Sequence, residues 1–174
     1  MVYLDRVETH WPLRIQLPIG TQVPFHCTAS GKMYLSMLPT KTQDRMLASV
    51  PIEKRTANTE TDPARLKQML RETAQRGYAT DDEEFMDGMA ALAIPICDDQ
   101  GRLLTTLSIH APKQRHDLIS LTAGLPKLRE AAQRLEELLV GCGTGLLCNR
   151  LQTGPRSGNL ARMSDSDPTP WPPR

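Results

Sequence analysis

Two stretches near the start of the chain alternate between apolar and polar residues. Residues 2–8 (Val-Tyr-Leu-Asp-Arg-Val-Glu) do so loosely, and residues 12–17 put Leu13, Ile15 and Leu17 on one face and Arg14 and Gln16 on the other. A period of two marks a strand, because successive side chains point to opposite faces. Pro18-Ile19-Gly20 then turns the chain. From Pro24 to Ser30 the residues are small and polar, and from Gly31 the pattern turns helical, with Met33, Leu35 and Leu38 as apolar positions before Pro39. A short helix is expected over 43–50, stopped by Pro51, and a polar loop over 53–61. Asp62-Pro63 starts a clear helix, with the carboxylate as N-cap, Pro at the first helical position and Gly77 just past the end. Leu66, Met69, Leu70, Thr73 and Ala74 share one face of it, so it lies on a core.

Residues 88–97 and 102–111 read as an antiparallel hairpin around Asp98-Asp99-Gln100-Gly101. In the first arm Leu92, Ile94 and Ile96 share one face, while Met89, Ala91, Ala93 and Cys97 share the other. In the second, Leu103, Leu107 and Ile109 oppose Leu104, Thr106, Ser108 and His110. Residues 116–140 are helical with a break at Gly124-Leu125-Pro126. Leu118, Leu121, Leu125, Leu128, Ala132, Leu135 and Leu139 recur at steps of three and four, a stripe suited to packing on the domain's own sheet. After Gly141 the Gly-, Ser-, Pro- and Arg-containing sequence cannot bury a core and is expected to be disordered. The expected architecture is α+β: one domain over residues 1–140 and a disordered tail over 141–174.

Composition narrows the function. The 174 residues carry a net charge of +1 with both signs interspersed, so no basic face points to nucleic acid. Two Trp, three Tyr and two Phe leave little for base stacking. No apolar run is long enough to span a membrane and no signal peptide is visible, which predicts a cytoplasmic protein. Four irregularly spaced cysteines are then expected as free thiols.

Three features carry candidate chemistry. The small residues at the start of the first long helix leave backbone N–H groups open to an anion, with Thr28 or Ser30 as N-cap and Gly31 permitting close approach to the backbone. Thr106, Ser108 and His110 make a hydrogen-bonding ladder on one strand face, either solvent-facing or the polar floor of a ligand pocket. The acidic run 81–87 reads as a solvated loop or helix start, with Asp81 the member placed to point inward. Ser30, Ser36, Ser108, His26, His110 and Asp81 supply nucleophile and base types but no nucleophile elbow, so no enzyme is expected. His26, Cys27, Cys97 and His110 lack metal-ligand spacing, so neither a metal nor a cofactor is assigned.

The string Gly20…Val23-Pro24-Phe25-His26-Cys27-Thr28-Ala29-Ser30-Gly31-Lys32 resembles the effector-binding domain of the isocitrate-lyase-regulator (IclR) family of bacterial transcription regulators. A second block is similar as well: Thr56, Thr59 and Asp62, the helix to Arg76, then Gly77-Tyr78-Ala79, Glu83-Glu84 and Gly88. A third runs from Ala93-Ile94-Pro95-Ile96 through Asp99 and Gly101 to Leu107-Ser108-Ile109 and Pro112. The resemblance implies a GAF-like antiparallel sheet flanked by helices, with a cavity for a small-molecule effector, an organic or aromatic acid. It implies a pocket at Ala29, Ser30, Gly31, Asp81, Met89, Ala91, Ser108 and His110, with Val23 and Ile15 on the apolar wall. An imidazole at 110 would shrink that cavity or add a donor that becomes cationic at lower pH. The family's winged helix-turn-helix has no counterpart in the sequence, so DNA contact is expected only through such a domain on another segment or partner. Association into homo-oligomers through the effector domain is the family's expected mode, and a separately encoded module that pairs with full-length regulators is the alternative.

Overall fold

The computed structural model describes residues 1–7 and 18–140. Its elements are α1 (Ala29–Ser36), α2 (Thr40–Ser49), α3 (Pro63–Arg76), β1 (Ala79–Asp82), β2 (Met89–Cys97), β3 (Leu103–Pro112), α4 (Leu118–Ala123) and α5 (Leu125–Val140). The strands form an antiparallel sheet in the order β1-β2-β3. Helices α4 and α5 cover one face of it, while α1 lies on the other with α3 packed against α1. This is the α+β architecture the pattern predicts.

The α4/α5 face is built from large apolar side chains. Leu92, Ile94 and Ile96 of β2 and Leu107 and Ile109 of β3 meet Leu121, Leu125, Leu128 and Ala132. Each such side chain, fully buried, is worth about 1.5–3 kcal/mol. Asp117 caps α4 by accepting from the Ser120 N–H at 2.9 Å. Pro126 falls in the first turn of α5, where its missing N–H costs nothing. The helical break predicted at 124–126 is the α4–α5 junction. The far end of the stripe is not covered by the described residues, and Leu139 is 58% exposed.

The α1 face is made of small residues. Ala29 and Met33 rest on Ala79, Ala91 and Ala93, with Met37 at the rim. Leu66 and Leu70 of α3 are fully buried, and the cap of α3 is the expected one: Asp62 accepts from Ala64 N–H, and Gly77 takes the left-handed conformation at φ 74°.

Three expectations are corrected. Residues 2–7 form no strand; only a bridge between Val2 and Gln22 is made, and Val7 is 99% exposed, so no buried face fixes the alternation. A strand at Ala79–Asp82 runs into the acidic stretch read as a loop or helix start, because pairing with β2 overrides a sequence with two acidic residues and little strand propensity. The hairpin alternation holds only up to a bulge at Ile96/Cys97, after which Cys97 pairs with Leu103 and its N–H donates to Glu136 on α5 at 2.7 Å. The strand expected at 12–17 and the tail expected after 140 lie outside the described residues.

Candidate functional site

The start of α1 is fixed by a short-range hydrogen-bond pattern. Thr28 has an extended backbone; its hydroxyl donates to the Pro24 carbonyl at 2.7 Å and accepts from the Gly31 N–H at 3.0 Å. Of the two candidate caps, Thr28 takes the role. The Lys32 N–H donates to the Thr28 carbonyl. The amides of Ala29 and Ser30 donate to no acceptor among the described residues, and both residues are buried. They are the first-turn donors left for an anion, at the positive end of the helix dipole.

Gly31 has a different task. A Cβ there would lie 2.5 Å from the Phe25 Cα and carbonyl oxygen, so the group that approaches it closely is the protein's own turn. With its N–H committed to Thr28, Gly31 seats the helix start.

The opposite wall comes from the sheet. Strand register places Asp81, Ala91 and His110 in one row and Ala79, Ala93 and Ser108 in the next. Ala79, Ala91 and Ala93 pack against α1, so both rows, and Met89 two residues before Ala91, face α1. Val23 is buried where the chain enters the turn before α1. The structure therefore brings Ala29, Ser30, Gly31, Asp81, Met89, Ala91, Ser108 and His110 to one side of the sheet. Ile15 lies outside the described residues. The contact between α1 and the alanines is dry, whereas Ser108 and His110, on the β3 edge of that face, keep partial exposure.

A buried charge cluster underlies this wall. Lys32 is 2% exposed and forms an ion pair with Glu84, one of whose oxygens (Oε2) has no partner. Asp81 is also buried and accepts from the Glu84 N–H at 2.8 Å and the Phe85 N–H at 3.3 Å. Thr56 and Thr59 clamp the same turn, each donating to a carbonyl of 83 or 84 at 2.6 Å. Asp82 and Glu83 pair with Lys113. The acidic run is therefore a pinned turn with two buried carboxylates, which corrects the solvated reading. Burial pushes the Asp81 carboxyl up to about 6, opposed by its backbone hydrogen bonds and by Lys32. Burial, reinforced by the Asp81 charge, pushes the Cys27 thiol up to about 12, which makes it unreactive.

His110 departs from its expected behaviour. Burial pulls its imidazole down to about 4, so it is neutral across the physiological range and no cation forms in mild acid. Its Nε2 lies 3.0 Å from Ser108 Oγ and 3.3 Å from the Tyr3 hydroxyl, with the two rings edge to face. Tyr3 is a site neighbour that sequence reasoning missed. It sits 107 residues from His110, and among the described residues the pairing of residues 1–3 with 20–23 carries it there. No local pattern encodes that contact.

Among the described residues no group of His, Cys, Asp and Glu is arranged to hold a metal ion, and no helix is long and apolar enough to cross a membrane.

Comparison with known proteins identifies the architecture. The family model described as "Bacterial transcriptional regulator IclR C-terminal" matches residues 1–137. The protein named "Probable transcriptional regulator SauR", from Cupriavidus necator, is 40% identical over 135 residues, which are 78% of this chain and 54% of that protein. The chain thus spans about half the length of the curated relatives it matches. The crystal structure of the Thermotoga maritima IclR protein superposes with a TM-score of 0.73 at 31% identity, covering 79% of this chain and 56% of that one. A double mutant of the PobR inducer-binding domain from Acinetobacter, in complex with 3-hydroxybenzoic acid, superposes with a TM-score of 0.69 at 27% identity, covering 75% and 78%.

Proposed function

The chain belongs to the IclR family of bacterial transcriptional regulators through its C-terminal domain, and from that premise we propose that it senses a small organic or aromatic acid held between the start of α1 and β3. The observation that carries this reading is the juxtaposition on one sheet face of the Ala29 and Ser30 amides with Ser108 and His110. In it, the acid's carboxylate sits on the two amides, and Ser108 with His110 fixes its far end. Ala91 and Ala93 are covered by Ala29 and Met33, so the acid lies beside that contact, toward the partly exposed β3 edge. Hydrogen bonds to a charged group are worth about 1.5–3 kcal/mol each, enough to fix orientation.

The proposed site performs no chemistry. Ser108 does contact His110, but burial pulls that imidazole down to about 4, a weak base for activating a hydroxyl, and Cys27 is held protonated. Its output would be a change in how copies of the domain associate, and with it the spacing of DNA-binding domains carried elsewhere. A ligand shifts such an equilibrium only by its differential affinity for the two states. Cytoplasmic location and association through this domain are parts of the same proposal.

Calorimetric titration of small mono- and dicarboxylates and aromatic acids against the wild type and Ser108→Ala tests it. At least one acid is expected to bind the wild type with unit stoichiometry and Ser108→Ala about tenfold more weakly, the worth of one hydrogen bond. A panel in which none binds contradicts the reading.

A further inference from the structure

One nitrogen, His110 Nε2, has two hydroxyl neighbours, Ser108 Oγ at 3.0 Å and Tyr3 Oη at 3.3 Å. A neutral imidazole nitrogen offers either one lone pair or one proton, not both. The phenol is the more acidic hydroxyl and the better donor of the two, so the pairing that uses it fully has Tyr3 donating to Nε2 and the ring proton on Nδ1. The Ser108 hydroxyl, on β3 two residues from His110 and facing α1, then keeps its proton uncommitted. Without the phenol, the nearest acceptor for that proton is Nε2 itself. Two segments thus meet at one atom: β3, which carries both Ser108 and His110, and residues 1–3, which are held there by pairing with Thr21 and Val23 of the turn before α1.

We propose that Tyr3 is a positioning residue of the effector site: its phenol holds His110 in the Nδ1–H tautomer and so frees the Ser108 hydroxyl to donate to an oxygen acceptor on the bound acid. The ligand half of this statement rests on the reading of the previous subsection; the tautomer half does not. The β3 end of the site then presents uncharged groups, with the Ser108 hydroxyl free to donate. Burial keeps His110 uncharged there, and the nearby charged groups do not change the choice of donor: Asp81 lies across Ala91 in the same row, and Lys32 is committed to Glu84. The ligand recognised at this end carries a carbonyl, carboxylate or similar oxygen that accepts from the Ser108 hydroxyl.

The test has two arms. In the first, the free protein is labelled with 15N-histidine and the ring nitrogens of His110 are followed by NMR in wild type and Tyr3→Phe. The wild type is expected to show a single Nδ1–H tautomer. Tyr3→Phe is expected to shift the Nε2 resonance and raise the His110 pKa, because a donor that favours the neutral ring has gone. In the second, 3-hydroxybenzoate, pyruvate and succinate are titrated into wild type, Tyr3→Phe, Ser108→Ala and the double variant. Each single variant is expected to weaken the bound acid about five- to tenfold, and the double variant no more than the worse single one, because both remove the same donor. An Nε2–H tautomer in the wild type, His110 resonances indifferent to Tyr3→Phe, or additive losses would overturn the proposal. If none of the three acids binds, the effector reading is what fails for these acids, and the tautomer still decides for or against Tyr3.

Discussion

One face of the sheet presents Leu92, Ile94, Ile96, Leu107 and Ile109 to helices α4 and α5; the other presents Ala79, Ala91, Ala93, Asp81, Ser108 and His110 to α1. The same two strands supply both sets, one residue apart. The first face gains its stability from area: leucines and isoleucines meet a leucine stripe, with the Cys97 N–H to Glu136 bond at its edge. The second gains little area per residue and holds buried groups that must each be satisfied, among them Lys32, Asp81 and Glu84. A protein stabilised on one side of a sheet can leave the other side small and polar. That division is what a binding site needs.

The division can be broken in several places. The largest effect is expected from Lys32→Met, which leaves the Glu84 and Asp81 carboxylates buried without their cation and costs about 3–5 kcal/mol. Urea denaturation at pH 7 measures it, and adding Glu84→Gln is expected to restore part of the loss. Next comes Leu92→Ala, a fully buried residue of the α4/α5 face, at about 2–5 kcal/mol. Its folded fraction is expected to bind the acid with unchanged affinity, and a matching loss of affinity would show that the two faces are not independent.

Asp81 gives a smaller, pH-dependent effect. Its carboxyl is raised to about 6 in the fold and returns to the ordinary range when unfolded, so between about pH 4 and 6 the native state binds more protons than the unfolded one. Stability from this group is therefore greatest below pH 4 and falls as pH rises through 6, by about 3 kcal/mol. Asp81→Asn is expected to flatten that decline in thermal melts recorded from pH 4 to 7. A decline of the same size in the variant would locate the titration elsewhere. The smallest effect on stability is expected from Ser108→Ala, within about 0.5 kcal/mol for a half-exposed side chain.

How much of this was legible in the sequence follows the same division. The α4/α5 face was readable because large apolar residues at periods of 2 and 3.6 announce both the strands and the helices that cover them. The caps of α3 were readable because Asp62-Pro63 and Gly77 act locally. On the other face, the alternation of β3 placed Ser108 and His110 together, and the small residues before Met33 marked the helix start. The rest depends on contacts between distant residues. The strand Ala79–Asp82 has no apolar alternation and exists because β2 pairs with it. Lys32 and Glu84 lie 52 residues apart, so a lysine on a predicted helix gave no sign that it would be buried. The described residues 2–7 carried a strand pattern with no face to bury it, and the one residue there that the site proposal uses, Tyr3, works through its hydroxyl.

The central claim is that an acid sits between the amides opening α1 and the polar row of β3. Mapping of backbone amide shifts in 15N-labelled protein, on addition of the acid that binds most tightly in titration, tests it most directly. The account predicts the largest shifts at Ala29 and Ser30, moved downfield as their N–H groups gain an anionic acceptor, with secondary shifts at Ser108 and His110 and none along α5. Shifts concentrated on α4 and α5, with Ala29 and Ser30 unmoved, would contradict it.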